Sequence, residues 1–349
     1  MRSRPEMKQQ FRGAVKRATL RDSLRKLVFI LAAAFCVTPW ASPFIALGLG
    51  AVLTLTICPP LRLKGQHRTE LLLQLSVVLM GFDMSLPLVL RAAAVGAPLA
   101  AMTIVGTMIL GFLLAKPLKI PPRESSLISA GTAICGGSAI VALGQELNAE
   151  EGDKTVALGT VFLLNTAALY LFPLVGHAMN MSERQFGAWA GIAVHDVSSV
   201  VGAAESYGPE ALQVATAVKL SRVLWIVPLV FGLKFCLRDR SASNAITGKL
   251  AERVSHRGRA RTRWPWFIGL FVIATVLRHQ FPAIASVAPL LSRAAASGLT
   301  LTLFFVGSTI SRDTIRAVGW RALLHGTILW LFVSLSSLLV IRAFYRPGS

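Results

Sequence analysis

The sequence predicts an all-α polytopic membrane protein of about ten to eleven transmembrane helices, with discontinuous helices near the midplane. Three observations carry that fold class. Hydrophobic residues make up 54% of the 349-residue chain and charged residues only 15%, where a soluble domain carries about 25% charged residues. Apolar stretches approaching the ~20 residues of a membrane span recur every few dozen residues from Leu27 to Phe344. The Lys and Arg residues are gathered between those stretches and alternate along the chain as the loops of a multi-pass protein do.

Residues 1–26 form a basic cytoplasmic N-terminal segment, holding Arg2, Arg4, Lys8, Arg12, Lys16, Arg17, Arg21, Arg25 and Lys26. No small-residue cleavage site follows a short apolar region, so the segment does not read as a signal peptide. A single transmembrane domain follows over 27–345. Its apolar segments run 27–40, 41–58, 70–90, 92–115, 124–145, 154–176, 186–204, 211–236, 266–281, 286–311 and 320–343. On one side fall the basic tail, Arg62/Lys64/Arg68, Lys116/Lys119/Arg123, Arg184, the basic loop 237–263 and Arg312/Arg316/Arg321. On the other fall Arg91, the acidic loop Glu146/Glu150/Glu151/Asp153, Glu205/Glu210, Arg278 and Arg342/Arg346. Positive residues stay inside. The N-terminus is therefore expected in the cytoplasm and the C-terminus outside. The short segment 27–40 and the lone Arg184 loop are the weakest places in this alternation.

The net charge of +20 would point to nucleic acid in a soluble chain. Here the basic residues lie between apolar runs without interleaved aromatics, a pattern that suits loops held on an anionic leaflet. Cys36, Cys58, Cys135 and Cys236 are scattered, with no CxxC, so neither a metal site nor a disulfide framework is expected. No HExxH, GxSxG or P-loop sequence is present. The expectation is a protein that is not an enzyme and needs no cofactor.

Function in such a chain is read from residues a lipid-facing helix would not tolerate. Gly136 and Gly137, flanked by Cys135 and Ser138, stand in mid-segment. A glycine in a helix interior costs about 1 kcal/mol relative to alanine, and a pair beside a hydroxyl marks a place where a helix unwinds and exposes N–H groups to an anion. At an offset of 60 residues, Ala190, Gly191, Ala193, Ser198 and Val201 repeat Ala130, Gly131, Ala133, Ser138 and Val141. This hints at two similar discontinuous helices. The loop charges give the two the same direction, so either the hint is compositional or one segment does not cross simply. The second segment adds His195 and Asp196, expected to serve in proton coupling or as a counter-charge. Lys219 and Arg222, three apart on one helical face, lie well inside their segment. Two cations at that depth cost at least ~2.5 kcal/mol each on insertion scales, so they are expected to bind an anion, with Gly136, Gly137, Ser138 and Ser198 lining the same site.

The runs Ile134-Cys-Gly-Gly-Ser-Ala-Ile140, Ile192-Ala-Val-His-Asp-Val-Ser-Ser-Val-Val-Gly202 and Val218-Lys-Leu-Ser-Arg-Val-Leu224 followed by Pro228 resemble, in that order, the bacterial sulfate-exporter family of inner-membrane proteins. The resemblance covers the chain from about the second helix to the last. It implies a multi-pass secondary transporter of the bacterial inner membrane, distantly similar to the cation/proton antiporter and bile-acid symporter architecture, exporting a small inorganic or organosulfur anion such as sulfate. Alternatives from the residues themselves are a cation/proton antiporter and an anion channel. The expected partners are the lipid bilayer, the anion and protons; nucleic acid is not expected, and homo-oligomerisation is left open.

Overall fold

Each of the eleven apolar segments contains helix in the computed structural model, which describes residues 23–38, 40–57, 66–226, 228–229, 266–309 and 312–344. Most of the basic tail and the basic loop 237–263 lie outside those residues. The helices are α1 (23–35), α2 (Pro43–Ile57), α3 (Gln66–Gly81), α4 (Leu86–Ala115), α5 (Pro122–Ala133), α6 (Gly137–Glu146) and α7 (Glu151–Ala178). They continue as α8 (Glu183–Ala193), α9 (Val197–Glu205), α10 (Pro209–Val223), α11 (Trp266–Gln280), α12 (Ala288–Gly307), α13 (Arg312–Ala317) and α14 (Trp320–Phe344). There is no strand among the described residues. Four helices, α4, α7, α12 and α14, are each long and apolar enough to cross a membrane. Leu90, Val105, Phe112, Leu174 and Leu339 point outward from three of these four, exposed. A belt of that kind needs lipid as its solvent. The chain is a multi-pass membrane protein.

Two of the eleven segments are not simple spans. Over 124–145, α5 and α6 meet at Ile134-Cys135-Gly136 and fold back on one another: a Cβ placed on Gly131 would lie 2.8 Å from Ile140 Cδ1. In one continuous helix those residues would be ~13 Å apart. Glu124 at the start of α5 and Asp153 at the start of α7 are close enough for their charges to repel. The two ends of this hairpin therefore lie at one end of the bundle. The segment 186–204 does the same through α8 and α9, with its tip at Val194-His195-Asp196. The Glu183 carboxylate accepts hydrogen bonds from the N–H groups of Glu210 (2.8 Å) and Ala211 (3.3 Å), tying the start of α8 to the start of α10.

These hairpins revise the count of spans. Each arm has 9 to 12 residues and reaches about 14–18 Å, roughly half of a ~30 Å hydrocarbon core. Two half-length arms have together the hydropathy and length of one span, which is why the sequence pattern did not separate them. The helix α7, about 42 Å long, connects the hairpins, so they enter from opposite ends of the bundle. Each hairpin is followed by a further helix, α7 of 28 residues or α10 of 15, and the offset-60 similarity falls on the two tips. The hint of two similar discontinuous helices thus has a counterpart in two helical hairpins that enter from opposite ends. The acidic loop 146–153 joins the 116–123 end, and Arg184 joins the opposite end with Glu205 and Glu210.

Close packing holds the second hairpin against α10. A Cβ on Gly187 would lie 2.6 Å from Ala211 O, and one on Gly191 2.8 Å from Ala215 O; the small residues let the two backbones touch. The α8 N-terminus carries a full capping box of Ser182 and Gln185. Trp189 stacks on Phe172 of α7 at 4.2 Å and donates to Ser334 O of α14 at 2.9 Å.

Candidate functional site: the junction of two hairpin tips

The residues that end α5 and α8 leave carbonyls without intrahelical partners, and α10 supplies the donors. Lys219 Nζ donates to Ile134 O at 3.2 Å and to Val194 O at 2.5 Å, bridging the two tips. Arg222 Nε donates to Ala133 O at 2.6 Å, Nη2 to Thr132 O at 3.4 Å, and Nη1 to Ile192 O. Both cations are fully buried. Each sits at helix C-termini, where about half a negative charge per helix favours it. Among the described residues, neither is in ion-pair contact with a carboxylate.

The two helix N-termini at the junction are built differently. Asp196 is the N-cap of α9: its carboxylate accepts from Ser198 N (3.2 Å), Ser199 N (3.0 Å), Ser198 Oγ (2.6 Å) and Ser199 Oγ (2.8 Å). The N-cap of α6 is Gly136, which has no side chain to offer. Its φ of 68° and ψ of −119° suit glycine alone. The Cys135 thiol approaches the Ser138 hydroxyl and the Ala139 amide. Gly136 packs toward the other tip, its Cβ direction meeting Asp196 Cβ at 3.7 Å and His195 O at 3.8 Å.

The structure thus brings together the residues expected at the anion site: Gly136, Gly137 and Ser138 at the first tip, His195, Asp196 and Ser198 at the second, Lys219 and Arg222 between them. Two expected contacts are not made. Asp196 does not pair with Lys219 or Arg222, because the α9 amides and two serine hydroxyls occupy it, and backbone carbonyls take over the counter-charge role at the cations. Ser198 Oγ is committed to Asp196. Asp83 is exposed and accepts from Ser292 Oγ at 3.1 Å, away from the junction.

Several polar groups at the junction have no partner. Both ring nitrogens of His195, Asn165 Nδ2 and Thr132 Oγ1 are buried and unbonded, although Asn165 Oδ1 accepts from His195 N at 3.1 Å. Lys219 uses two of its three N–H donors and Arg222 three of its five. Sequence reasoning missed Thr132, although it stands one turn before the glycine pair. It also missed His325 of α14, fully buried with Nε2 3.3 Å from Ser125 Oγ. A histidine inside the last apolar segment was the available signal.

Comparisons with known proteins agree on the kind of molecule. The family model described as conserved hypothetical protein 698 matches residues 24–326. The UPF0324 membrane protein of Bacteroides thetaiotaomicron is 41% identical over 302 residues, covering 86% of each chain. That of Porphyromonas gingivalis is 42% identical over 309 residues, covering 86% of this chain and 87% of its own. A third, from Geobacter sulfurreducens, is 38% identical over 321 residues, with 92% and 97% covered. No solved structure matches.

Proposed function

The chain belongs to the conserved hypothetical protein 698 family of bacterial membrane proteins, and from that premise we propose that it is a secondary transporter of small anions. One observation carries the reading: the junction of the tips holds more hydrogen-bond donors than acceptors and more positive than negative charge. Asn165 Nδ2 has no partner, and Lys219 and Arg222 carry more N–H groups than the five hydrogen bonds they donate. Unpaired donors in a low-dielectric interior are costly, and an oxyanion supplies acceptors and charge together. A cation/proton antiporter would want free carboxylates, and the one carboxylate on either tip is held by four donors. An anion channel would want a continuous polar pore, whereas the two tips here meet and close on each other.

Hairpins entering from opposite ends and meeting mid-bundle suit alternating access, in which each tip is the gate for one side. The positive-inside rule places the 116–123 end in the cytoplasm of the bacterial inner membrane, the N-terminus with it and the C-terminus in the periplasm. The hairpins leave this assignment unchanged, since turning back two segments moves only the acidic loop 146–153 inward and Arg184 outward. With the inside negative, outward movement of an anion gains ~2.3 kcal/mol per charge per 100 mV, which favours export without a coupling ion. The resemblance noted above names sulfate as one candidate.

The test is anion flux in proteoliposomes, with and without an imposed pH gradient. Saturable, protein-dependent flux that shows counterflow supports a transporter. Flux that rises linearly with the gradient would indicate a channel, and absence of flux for all small oxyanions would sink the reading.

A further inference from the structure

We infer that Asp196 sets the charge class of the substrate, and that the junction accepts a small oxyanion carrying a single negative charge. This rests on the anion-transport reading and follows from counting the fixed charges. The two helix C-termini of α5 and α8 and the two N-termini of α6 and α9 carry opposite half-charges that cancel. The side chains do not cancel. In their ordinary ionised forms Lys219 and Arg222 contribute two positive charges, and Asp196, accepting four hydrogen bonds and donating none, contributes one negative charge. One positive charge is left over. It lies beside an α6 N-terminus that Gly136 leaves without a charged cap, and beside buried, unbonded Asn165 Nδ2 and Thr132 Oγ1.

A monoanion brings the junction to neutrality. A dianion overshoots by one charge, and an uncharged ligand leaves the cation unmatched; either state retains a net charge where the surroundings solvate it poorly. Lys219 and Arg222 counted without Asp196 would match a dianion. The carboxylate fixed at the junction shifts that match by one charge. Asp196 is thus a specificity-determining residue. It acts through its charge and has no need to touch the anion.

Methanesulfonate and sulfate make the test, because they share a tetrahedral shape and differ by one charge. The thermal unfolding midpoint of the purified full-length protein in nanodiscs is titrated with the sodium salt of each at matched ionic strength. Wild type should bind methanesulfonate about tenfold more tightly than sulfate, a difference of about 1.4 kcal/mol. Asp196→Asn keeps an N-cap of equal quality and should fold, yet its preference should turn toward sulfate by a similar factor. Glu183→Gln, a carboxylate removed at the base of the same hairpin, should leave the wild-type preference in place. Sulfate preferred by wild type, or an Asp196→Asn variant with an unchanged ratio, would overturn the inference while leaving an anion transporter standing. If neither salt shifts either protein but proteoliposomes still carry anions, the junction is not the seat. If flux is absent as well, the transport reading falls with it.

Discussion

The two hairpins solve the same problem with different chemistry. Both bring a helix C-terminus and a helix N-terminus to the middle of the bundle, and both give their C-terminal carbonyls to α10 through Lys219 and Arg222. They part at the N-terminus. The second tip closes on itself, the Asp196 carboxylate accepting from the amides and the hydroxyls of both Ser198 and Ser199. The first ends in a glycine whose backbone no other residue adopts comfortably, and the Cys135 thiol alone stands against the α6 amides in place of a carboxylate cap. A self-sufficient tip is a fixed part; an unfinished one has work left for a ligand. Between two such hairpins the differences are therefore more informative than the likeness.

The largest way to break this comparison is to remove what both hairpins share. Arg222→Leu strips donors from Thr132, Ala133 and Ile192 carbonyls at once and should destabilise the unliganded protein by about 1–3 kcal/mol for each buried carbonyl left without a donor. Thermal unfolding in the absence of any anion is the measurement. An unchanged midpoint would mean that the guanidinium serves only the ligand and does not hold the tips.

A second comparison concerns how the arms pack. Gly191→Ala drives a Cβ to 2.8 Å from a backbone atom, Ala215 O, which cannot step aside. Overpacking of that kind should cost about 1–3 kcal/mol. Gly131→Ala meets the Ile140 side chain at the same distance, and a side chain can rotate away, so its cost should be clearly smaller. Equal midpoints for the two variants would remove the distinction between a backbone-tight second hairpin and a looser first one.

At the tips themselves the effects shrink. Asp196→Ala should cost about 0.5–2 kcal/mol, the range for losing an N-cap, whereas Ser138→Ala at the matching position of the first tip should cost less, because no carboxylate depends on its hydroxyl. Hydrogen exchange of the Ser199 and Ala139 amides, each three residues past its N-cap, would read this directly. Faster exchange at Ala139 than at Ser199 in wild type is the expected order.

Much of this arrangement was legible in the sequence, and the part that was not has a definite cause. Lys219 and Arg222 stood out because cations are rare in apolar segments; Gly136-Gly137 and His195-Asp196 stood out as breaks. Hydropathy gave the eleven helical segments. It could not tell a span from two half-length arms, since α5 with α6 matches a span in length and apolar content. The one clue to the hairpins was a contradiction: similar segments, offset by 60 residues, assigned the same direction. Lone Arg184 on an otherwise basic side was a second trace of the same error. What no pattern could supply was the partner of each charge. Asp196 looked like the natural counter-charge to two cations, but an aspartate directly before Val197-Ser198-Ser199 is also an N-cap, and that local use prevailed.

The smallest expected effect on stability carries the sharpest functional reading. The ring nitrogens of His195 bond to nothing, although the residue is buried at the very tip of the second hairpin and its backbone N–H is held by Asn165. Removing a ring with no hydrogen bonds to lose forfeits only packing, so His195→Gln should unfold within about 1 kcal/mol of wild type. Transport is another matter. The buried imidazole lies between two helix ends with Lys219 and Arg222 beside it, two charges that repel a third, so a proton accompanying the anion would bind His195 only with the anion in place to offset them. Flux measured against external pH should then flatten in His195→Gln while the protein remains folded. A profile that keeps its shape in the variant would assign the pH dependence to another group and leave His195 as a filler of space, which a His195→Asn variant, smaller by a methylene equivalent and correspondingly less stable, would corroborate.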